Sequence, residues 1–392
     1  MAVDPLTVLQ IHNRYREAGG EDAVASKERA LLREAGHEVI DYQAENPRGP
    51  VAATATLLVS PWNPMSARRM GDAVRRHHPD VAHIHNTWWA LSPSIVRPLA
   101  TAGVPIVMTL HNYRLVCANG KLFRDGEPCE DCVGTHPWRA VGHGCYRGSL
   151  PASIMAAAAI ELPRRLHAWQ GVDLFLSLTD FARERFIAGG LPSDKLWVKP
   201  NFVDDPGPRR VRPSESSVVL FVGRLSTEKG IEVLLDAWRD ATPRGLELLV
   251  VGDGPLREAL EASPPAGVRF LGRQSADQVR ELMLGTRAMA FPSLWFEGQP
   301  MVLLEALAAG MPLVVSAIGG IPDTVADGRA ALAVPAGDRS AWAVALGRLA
   351  GDDWIDEASG YARRVFESRY SPHLALDALE EAYKRAMGDR RR

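Results

Sequence analysis

The chain has 392 residues, of which 46% are hydrophobic and 23% charged. That balance excludes a disordered, collagenous or coiled-coil protein and points to a soluble chain of two or three domains. Its 45 Lys and Arg nearly cancel 47 Asp and Glu, and a formal charge of -2 argues against a protein that grips nucleic acid through its overall field.

Met1-Ala-Val-Asp-Pro lacks a basic region, and the apolar run 6–11 ends at His12-Asn13-Arg14, so no secretory signal is expected. Short apolar runs at 8–12, 81–85, 106–111, 173–178 and 196–200 read as strands, with helical stretches such as 22–35 and 154–169 between some of them. Strands alternating with helices predict a parallel sheet covered on both faces. Residues 201–217 carry Pro206, Pro208 and Pro213 beside Gly207 and several serines, which reads as a linker. The alternation then restarts, with strands at 218–222, 246–251, 268–271, 288–292, 313–316 and 331–334, and helices such as 230–239 and 300–309.

The expectation is an α/β chain of two Rossmann-like doubly wound domains, 1–203 and 204–371, facing an interdomain cleft. Ligands of such sheets bind beyond the carboxyl ends of the strands. The spacing of Leu374, Leu376, Leu379, Tyr383 and Met387 predicts a helix within 372–392, packing back toward the first domain and fraying over 389–392. The long stretch 301–321 holds one charge, Glu305, but Gly310, Pro312, Gly319 and Gly320 make it a buried helix, turn and strand rather than a membrane span. The protein is therefore expected to be cytoplasmic, with peripheral contact at the inner face of the membrane left open.

Two segments of the second half carry chemistry. Gly223, Arg224 and Lys229 lie on a strand-to-helix loop, where two cations suit a diphosphate, Arg bidentately and Lys as a point charge. Ordinary solvated surface charges are the competing reading. Glu297 and Glu305 lie eight positions apart around Gly298-Gln299-Pro300-Met301. Pro300 suits the first turn of a helix, whose open N–H groups would receive anionic or hydroxyl oxygens. Glu305, in an apolar stretch, is expected to need polar partners, either a ribose diol or a structural salt bridge.

Together with Val251-Gly-Asp-Gly-Pro-Leu256, Phe270-Leu-Gly272 and 319–328, these segments resemble the retaining, nucleotide-sugar-dependent glycosyltransferases of family 4, with the GT-B fold. The five motifs come in the family order, and the resemblance covers nearly the whole chain. It implies a donor sugar nucleotide, of UDP or GDP type, on the second domain and an acceptor hydroxyl on the first. The acceptor would be a glycan, a lipid-linked molecule or a small molecule, in bacterial polysaccharide, glycolipid or other glycoconjugate synthesis. By resemblance, Arg224 and Lys229 neutralise the diphosphate, Glu305 binds the ribose, and Glu297 with the backbone of Gly298 and Gln299 holds the transferred sugar. Arg273 lies where relatives contact the base. No Asp-x-Asp occurs, so cationic side chains are expected to replace a catalytic metal. A sugar phosphorylase or epimerase, and a non-catalytic sugar-nucleotide-binding subunit, are the alternatives. The base, the sugar and the oligomeric state are not written in the motifs.

In the first half, Ala18-Gly19-Gly20-Glu21 follows a strand and opens a helix; the family lays this loop against donor phosphates and acceptor. His111 ends a strand where the family keeps a histidine near the transferred sugar; a hydrogen-bonded core histidine is the other reading. His83 and His85 alternate on another strand, in acceptor or structural roles. All four cysteines fall in the turn-rich insertion 113–147 as Cys117, Cys129, Cys132 and Cys145. The Cys-x2-Cys pair flanked by two more suits a structural zinc, with an iron–sulfur cluster, a redox disulfide or unconnected thiols as alternatives. His136 and His143 are spare ligands. The stretch 154–169 reads as a buried Ala-rich helix rather than a membrane-surface helix, because a strongly basic face is missing.

Overall fold

The computed structural model describes residues 4–14, 19–243, 245–326, 328–351 and 354–389. It divides into two compact units, one of residues 1–122, 129–200 and 375–392, the other of 123–128 and 201–374.

The chain runs β1 (Thr7–Arg14), β2 (Glu38–Glu45), β3 (Val81–Asn86), β4 (Ile106–Leu110), a short hairpin of β5 (Phe123–Arg124) and β6 (Glu127–Pro128), then β7 (Leu174–Ser177) and β8 (Leu196–Val198). Six of these form a parallel sheet in the order β2-β1-β3-β4-β7-β8. Central strands such as β4 are buried along their whole length, as parallel strands covered on both faces must be. Strand β2 is an addition to the strands expected from apolar runs. From Ile40 onward its sequence alternates apolar or aromatic with charged or polar side chains, covered and exposed in turn, as an outermost strand permits.

The helix Pro372–Asp389 closes one face of this sheet. Its Leu379, Ala382, Tyr383 and Ala386 share a buried cluster with Val8, Val81, Val107 and Leu174. Residues 390–392 of the expected frayed end lie outside the described residues. The predicted helix over 154–169 is instead Leu150–Arg165, and Trp169 falls in the following 3-10 turn Ala168–Gly171, after a left-handed His167. Its buried face is Ala156, Ala157, Ala159 and Ile160. Arg164 turns its guanidinium onto the carbonyls of Leu115 and Gly189, at 3.3 and 3.1 Å.

In the second unit, β9 (Val218–Val222), β10 (Glu247–Val251), β11 (Val268–Gly272), β12 (Ala288–Phe291), β13 (Leu313–Ser316) and β14 (Ala331–Val334) pair in parallel as β11-β10-β9-β12-β13-β14. One face packs on Leu303, Leu304 and Leu307 of the helix Met301–Ala308, the other on Leu234, Leu235 and Trp238 of the helix Ile231–Ala241. Strand order reverses at β9/β12 here and at β1/β3 in the first unit, and these switch points are where such sheets bind ligands. No helix among the described residues is long and apolar enough to cross a membrane.

Candidate functional site

At the β9/β12 switch point, three loops are held together by main-chain hydrogen bonds and glycines. Gly223 N–H donates to the Val251 carbonyl and Leu225 N–H to that of Asp253, both at 3.0 Å. A Cβ on Gly252 (φ +142) would lie 1.8 Å from the Gly223 carbonyl oxygen, so only glycine lets these two loops touch. Residues Thr227–Lys229 form a 3-10 turn ending at Gly230 (φ +68), where a Cβ would meet the Pro292 oxygen at 1.9 Å. The loop after β9 thus lies directly on the loop after β12, and Leu294 N–H donates to the Glu228 carbonyl at 2.9 Å.

This contact brings together two predicted residues that are far apart in sequence. The Lys229 ammonium donates to Glu297 Oε1 at 2.6 Å, and Ser293 Oγ donates to the same oxygen at 3.0 Å. The ammonium also lies 5.7 Å from the Phe291 ring centre and 5.3 Å from that of Trp295, within cation–π range. Glu297 is 5% exposed. Arg224, five residues before Lys229, is exposed to solvent and makes no ion pair among the described residues. Gln299 is buried with its side-chain oxygen on the Asn201 N–H at 2.6 Å, which leaves its main chain to serve the site.

Pro300, in extended conformation, caps the helix Met301–Ala308 rather than forming its first residue. Glu305 is exposed, while Leu303, Leu304, Ala306, Leu307 and Ala308 of the same helix are buried. Helical spacing explains this, because Glu305 lies four residues after the half-buried Met301 and shares its outward stripe. Arg273 is exposed beyond β11, an outermost strand, and does not join the Lys229–Glu297 pair.

In the first unit, parallel register builds a site that no contiguous motif announces. Val8, Gln10 and His12 of β1, Val81, His83 and His85 of β3, and Val107 and Thr109 of β4, with His111 just beyond, alternate onto one face. Side chains therefore change from apolar to polar toward the carboxyl ends, where three histidines stand in a row. His85 and His111 rings stack at 5.3 Å, and His12 lies edge-on to His85 at 6.2 Å. His85 Nδ1 and His111 Nε2 are 3.0 Å apart. His83 bonds the Tyr383 hydroxyl at 2.9 Å and Thr109 Oγ1 at 2.8 Å.

Beneath the row lies Glu28, fully buried on the helix Gly20–Glu34 and paired with the buried Lys199. Burial opposes its charge, but Lys199, followed by His85, holds its carboxyl below the usual value. The histidines shift in the same direction, which for them favours the neutral form. Burial, with lesser contributions from Lys199 and His12 against Glu28 and Asp22, lowers His111 to about 3. Burial likewise depresses His83 and His85 well below their usual value, and His12 despite its hydrogen bond to Asp22.

Glu28, His83 and His85 offer ligand atoms within 4.8 Å of one another, the spacing of a metal cage. Each of the three already faces a donor: Lys199 on Glu28, Tyr383 on His83 and the Gln10 amide on His85. The Lys199 ammonium supplies the cation's charge, so the trio reads as an ionic core rather than a metal centre.

Gly19 and Gly20 are exposed at the start of that helix, while Ala18 lies outside the described residues. The helix N-terminus is closed by its own acid, with Asp22 accepting from the Gly19 N–H at 2.9 Å and from His12 Nε2 at 2.8 Å. Asn112, next to His111, donates to Glu21 at 3.0 Å. Sequence reasoning missed Gln10, His12, Glu28, Lys199 and Tyr383; the only signal was polar side chains at alternate positions of otherwise apolar runs.

The four cysteines are free thiols. Burial and then Cys117, Cys145 and Cys129 push the Cys132 thiol up to about 11, so the other three all act on it. No three of them stand within 4.8 Å of one another, since the Glu28 group is the only such trio among the described residues. His136 and His143 are exposed.

Comparison with known proteins agrees across both units. The Glycosyltransferase Family 4 profile matches residues 8–205, and that of glycosyl transferases group 1 matches 216–352. A D-inositol 3-phosphate glycosyltransferase of Mycobacteroides abscessus is 32% identical over 192 residues, 45% of this chain and 41% of the relative. A glycogen synthase of Thermus thermophilus is 39% identical over 144 residues, 36% of this chain and 31% of the relative. The chain thus spans less than half the length of these two curated relatives. Among solved structures, an Anabaena protein (Alr3699/HepE) in complex with UDP and glucose superposes with a TM-score of 0.66 at 17% identity, covering 97% of this chain and 99% of that one. That likeness shows the fold.

Proposed function

The chain belongs to glycosyltransferase family 4, and from that membership we propose that it transfers a sugar from a nucleoside-diphosphate sugar to an acceptor hydroxyl with retention of configuration. The observation that carries the reading is the Lys229–Glu297 pair at the β9/β12 switch point, with the exposed Arg224 guanidinium on the same loop. Arg224 and Lys229 take the charge that develops on the departing diphosphate, and Gly223 lets the main chain approach it. Glu297 accepts hydrogen bonds from hydroxyls of the transferred sugar, and the main-chain N–H groups of Gly298 and Gln299 donate to its oxygens. Its Oε1 is already engaged by Lys229 and Ser293, which suits a binding role better than attack on the anomeric carbon. Glu305, on the outward stripe of its helix, accepts from the ribose diol, beside the helix start at Pro300 and Met301. The family's pattern further assigns Arg273 to the base, Gly19 and Gly20 to the phosphates and His111 to the sugar. The leaving phosphate takes the acceptor proton, so no carboxylate nucleophile is needed.

The names of the relatives support a sugar donor, and UDP in the Anabaena structure supports a nucleotide-bearing one. The test is release of nucleoside diphosphate from UDP-, GDP-, ADP- and TDP-sugars with oligosaccharide, lipid-linked and polyol-phosphate acceptors, and the product's anomeric configuration by NMR. Acceptor-dependent release with retention is expected. An inverted product, or donor breakdown and isomerisation that ignore the acceptor, would contradict the reading.

The insertion carries a second element of the proposal, a structural zinc held by Cys117, Cys129, Cys132 and Cys145. Three thiols that act on a fourth, Cys132, whose deprotonation is unfavourable without a cation support it, because zinc binds thiolates and releases their protons. The sulfurs must draw closer on binding. Metal analysis of the purified protein is expected to give one zinc per chain, lost in Cys132→Ser; metal-free folded protein would exclude it.

A further inference from the structure

The row of histidines fixes more than position. Gln10 Nε2 donates to the Ala25 carbonyl at 3.0 Å and lies 3.2 Å from His85 Nε2, while its Oε1 faces the Arg29 guanidinium at 3.5 Å. The amide orientation is thereby set: the nitrogen donates, so His85 Nε2 accepts. Glu28 Oε2 competes for His85 Nε2 from 3.6 Å, outside hydrogen-bond reach. With Nε2 accepting, the proton of neutral His85 is on Nδ1, which stands 3.0 Å from His111 Nε2. His111 must then accept at Nε2 and carry its own proton on Nδ1.

We propose that the buried chain Gln10–His85–His111 holds His111 in the single tautomer protonated at Nδ1, making His85 and Gln10 positioning residues for the His111 ring. This rests on the preceding reading only for its catalytic consequence: His111 presents a donor, not an acceptor, to whatever meets Nδ1. The Glu28–Lys199 pair keeps the floor of the chain locally charge-balanced, so that no proton is drawn onto the histidines above it.

Ring-nitrogen spectra of the full chain labelled with 15N-histidine read the tautomer directly, with His111 assigned by the signals lost in His111→Gln. The expected result is a protonated, pyrrole-type Nδ1 and a pyridine-type Nε2 at His111, unchanged between pH 6 and 8. A protonated Nε2, or an average of both tautomers, overturns the proposal without touching the transferase reading. His85→Leu removes the donor and is expected to release the tautomer. His85→Asn, whose amide nitrogen reaches roughly where Nδ1 stood, is expected to restore it. In the transfer assay, His85→Leu should lower kcat by roughly tenfold to a hundredfold with donor KM little changed, and His85→Asn should recover most of it. Equal loss in both variants would overturn the positioning role. The wild-type spectrum decides the tautomer even where a variant fails to fold.

Discussion

Lys229 and Glu297 make opposite predictions under substitution. Lys229→Met strips a buried carboxylate of its cation, a loss of about 3–5 kcal/mol for a fully buried pair and somewhat less here because Lys229 keeps 22% exposure. Glu297→Gln preserves shape and the contact with Ser293, so urea unfolding should move by less than about 1 kcal/mol while transfer falls roughly a hundredfold. A Glu297→Gln protein with full activity would remove that residue from the sugar site. Residues that stand together in one loop, Arg224 and Lys229, were legible in the sequence. Glu297 was legible through its Gly-Gln-Pro turn. Glu305 stands out in the sequence as an isolated charge among apolar neighbours, and its spacing from Met301 puts it on the outward stripe of its helix. Gln10, Glu28 and Lys199 were illegible because a helix, a strand and a distant loop meet only through register.

Elements come together here through particular backbone positions. Gly230→Ala places a methyl 1.9 Å from the Pro292 oxygen at a left-handed φ, so the second unit should lose at least about 3 kcal/mol and its nucleotide affinity with it. At Gly347, on the helix Arg339–Arg348, an added methyl would meet nothing within 4 Å, and Gly347→Ala should stabilise by about 0.5–1 kcal/mol. Chemical denaturation of the two variants checks both signs. Most strands could be read from their apolar runs, since parallel strands are buried on both faces. β2 escaped because an edge strand needs only alternate cover, and its acidic and polar outward positions look like loop.

Across the whole molecule, both sheets reverse strand order once, and each reversal gathers candidate site residues: cations and a carboxylate at β9/β12, histidines at β1/β3. The alternation of strands and helices made this fold class legible; the order of strands was not, because crossover direction leaves no local mark in sequence. The buried histidines also set the pH response. His12, His83, His85 and His111 all have folded pKa values below 6.5, to about 3 for His111. Below that ordinary value the unfolded chain binds more protons, so stability is full near neutrality and falls as pH drops through the window toward 3. Each group contributes up to about 1.4 kcal/mol per pH unit. Tm should therefore decline from pH 7 to pH 5, less steeply in His111→Asn; a flat profile would mean the row is not neutral.

If the loop after β9 and the turn before the helix Met301–Ala308 hold one diphosphate-bearing sugar nucleotide, its affinity must depend on the two cations. Calorimetric titration of UDP-, GDP-, ADP- and TDP-sugars into wild type and an Arg224→Ala, Lys229→Ala double variant tests this most directly. One donor should bind wild type, and the double variant should bind it at least about a hundredfold more weakly, a loss of about 3 kcal/mol. Equal affinity in the two proteins, or no binding of any sugar nucleotide to folded wild type, would contradict it.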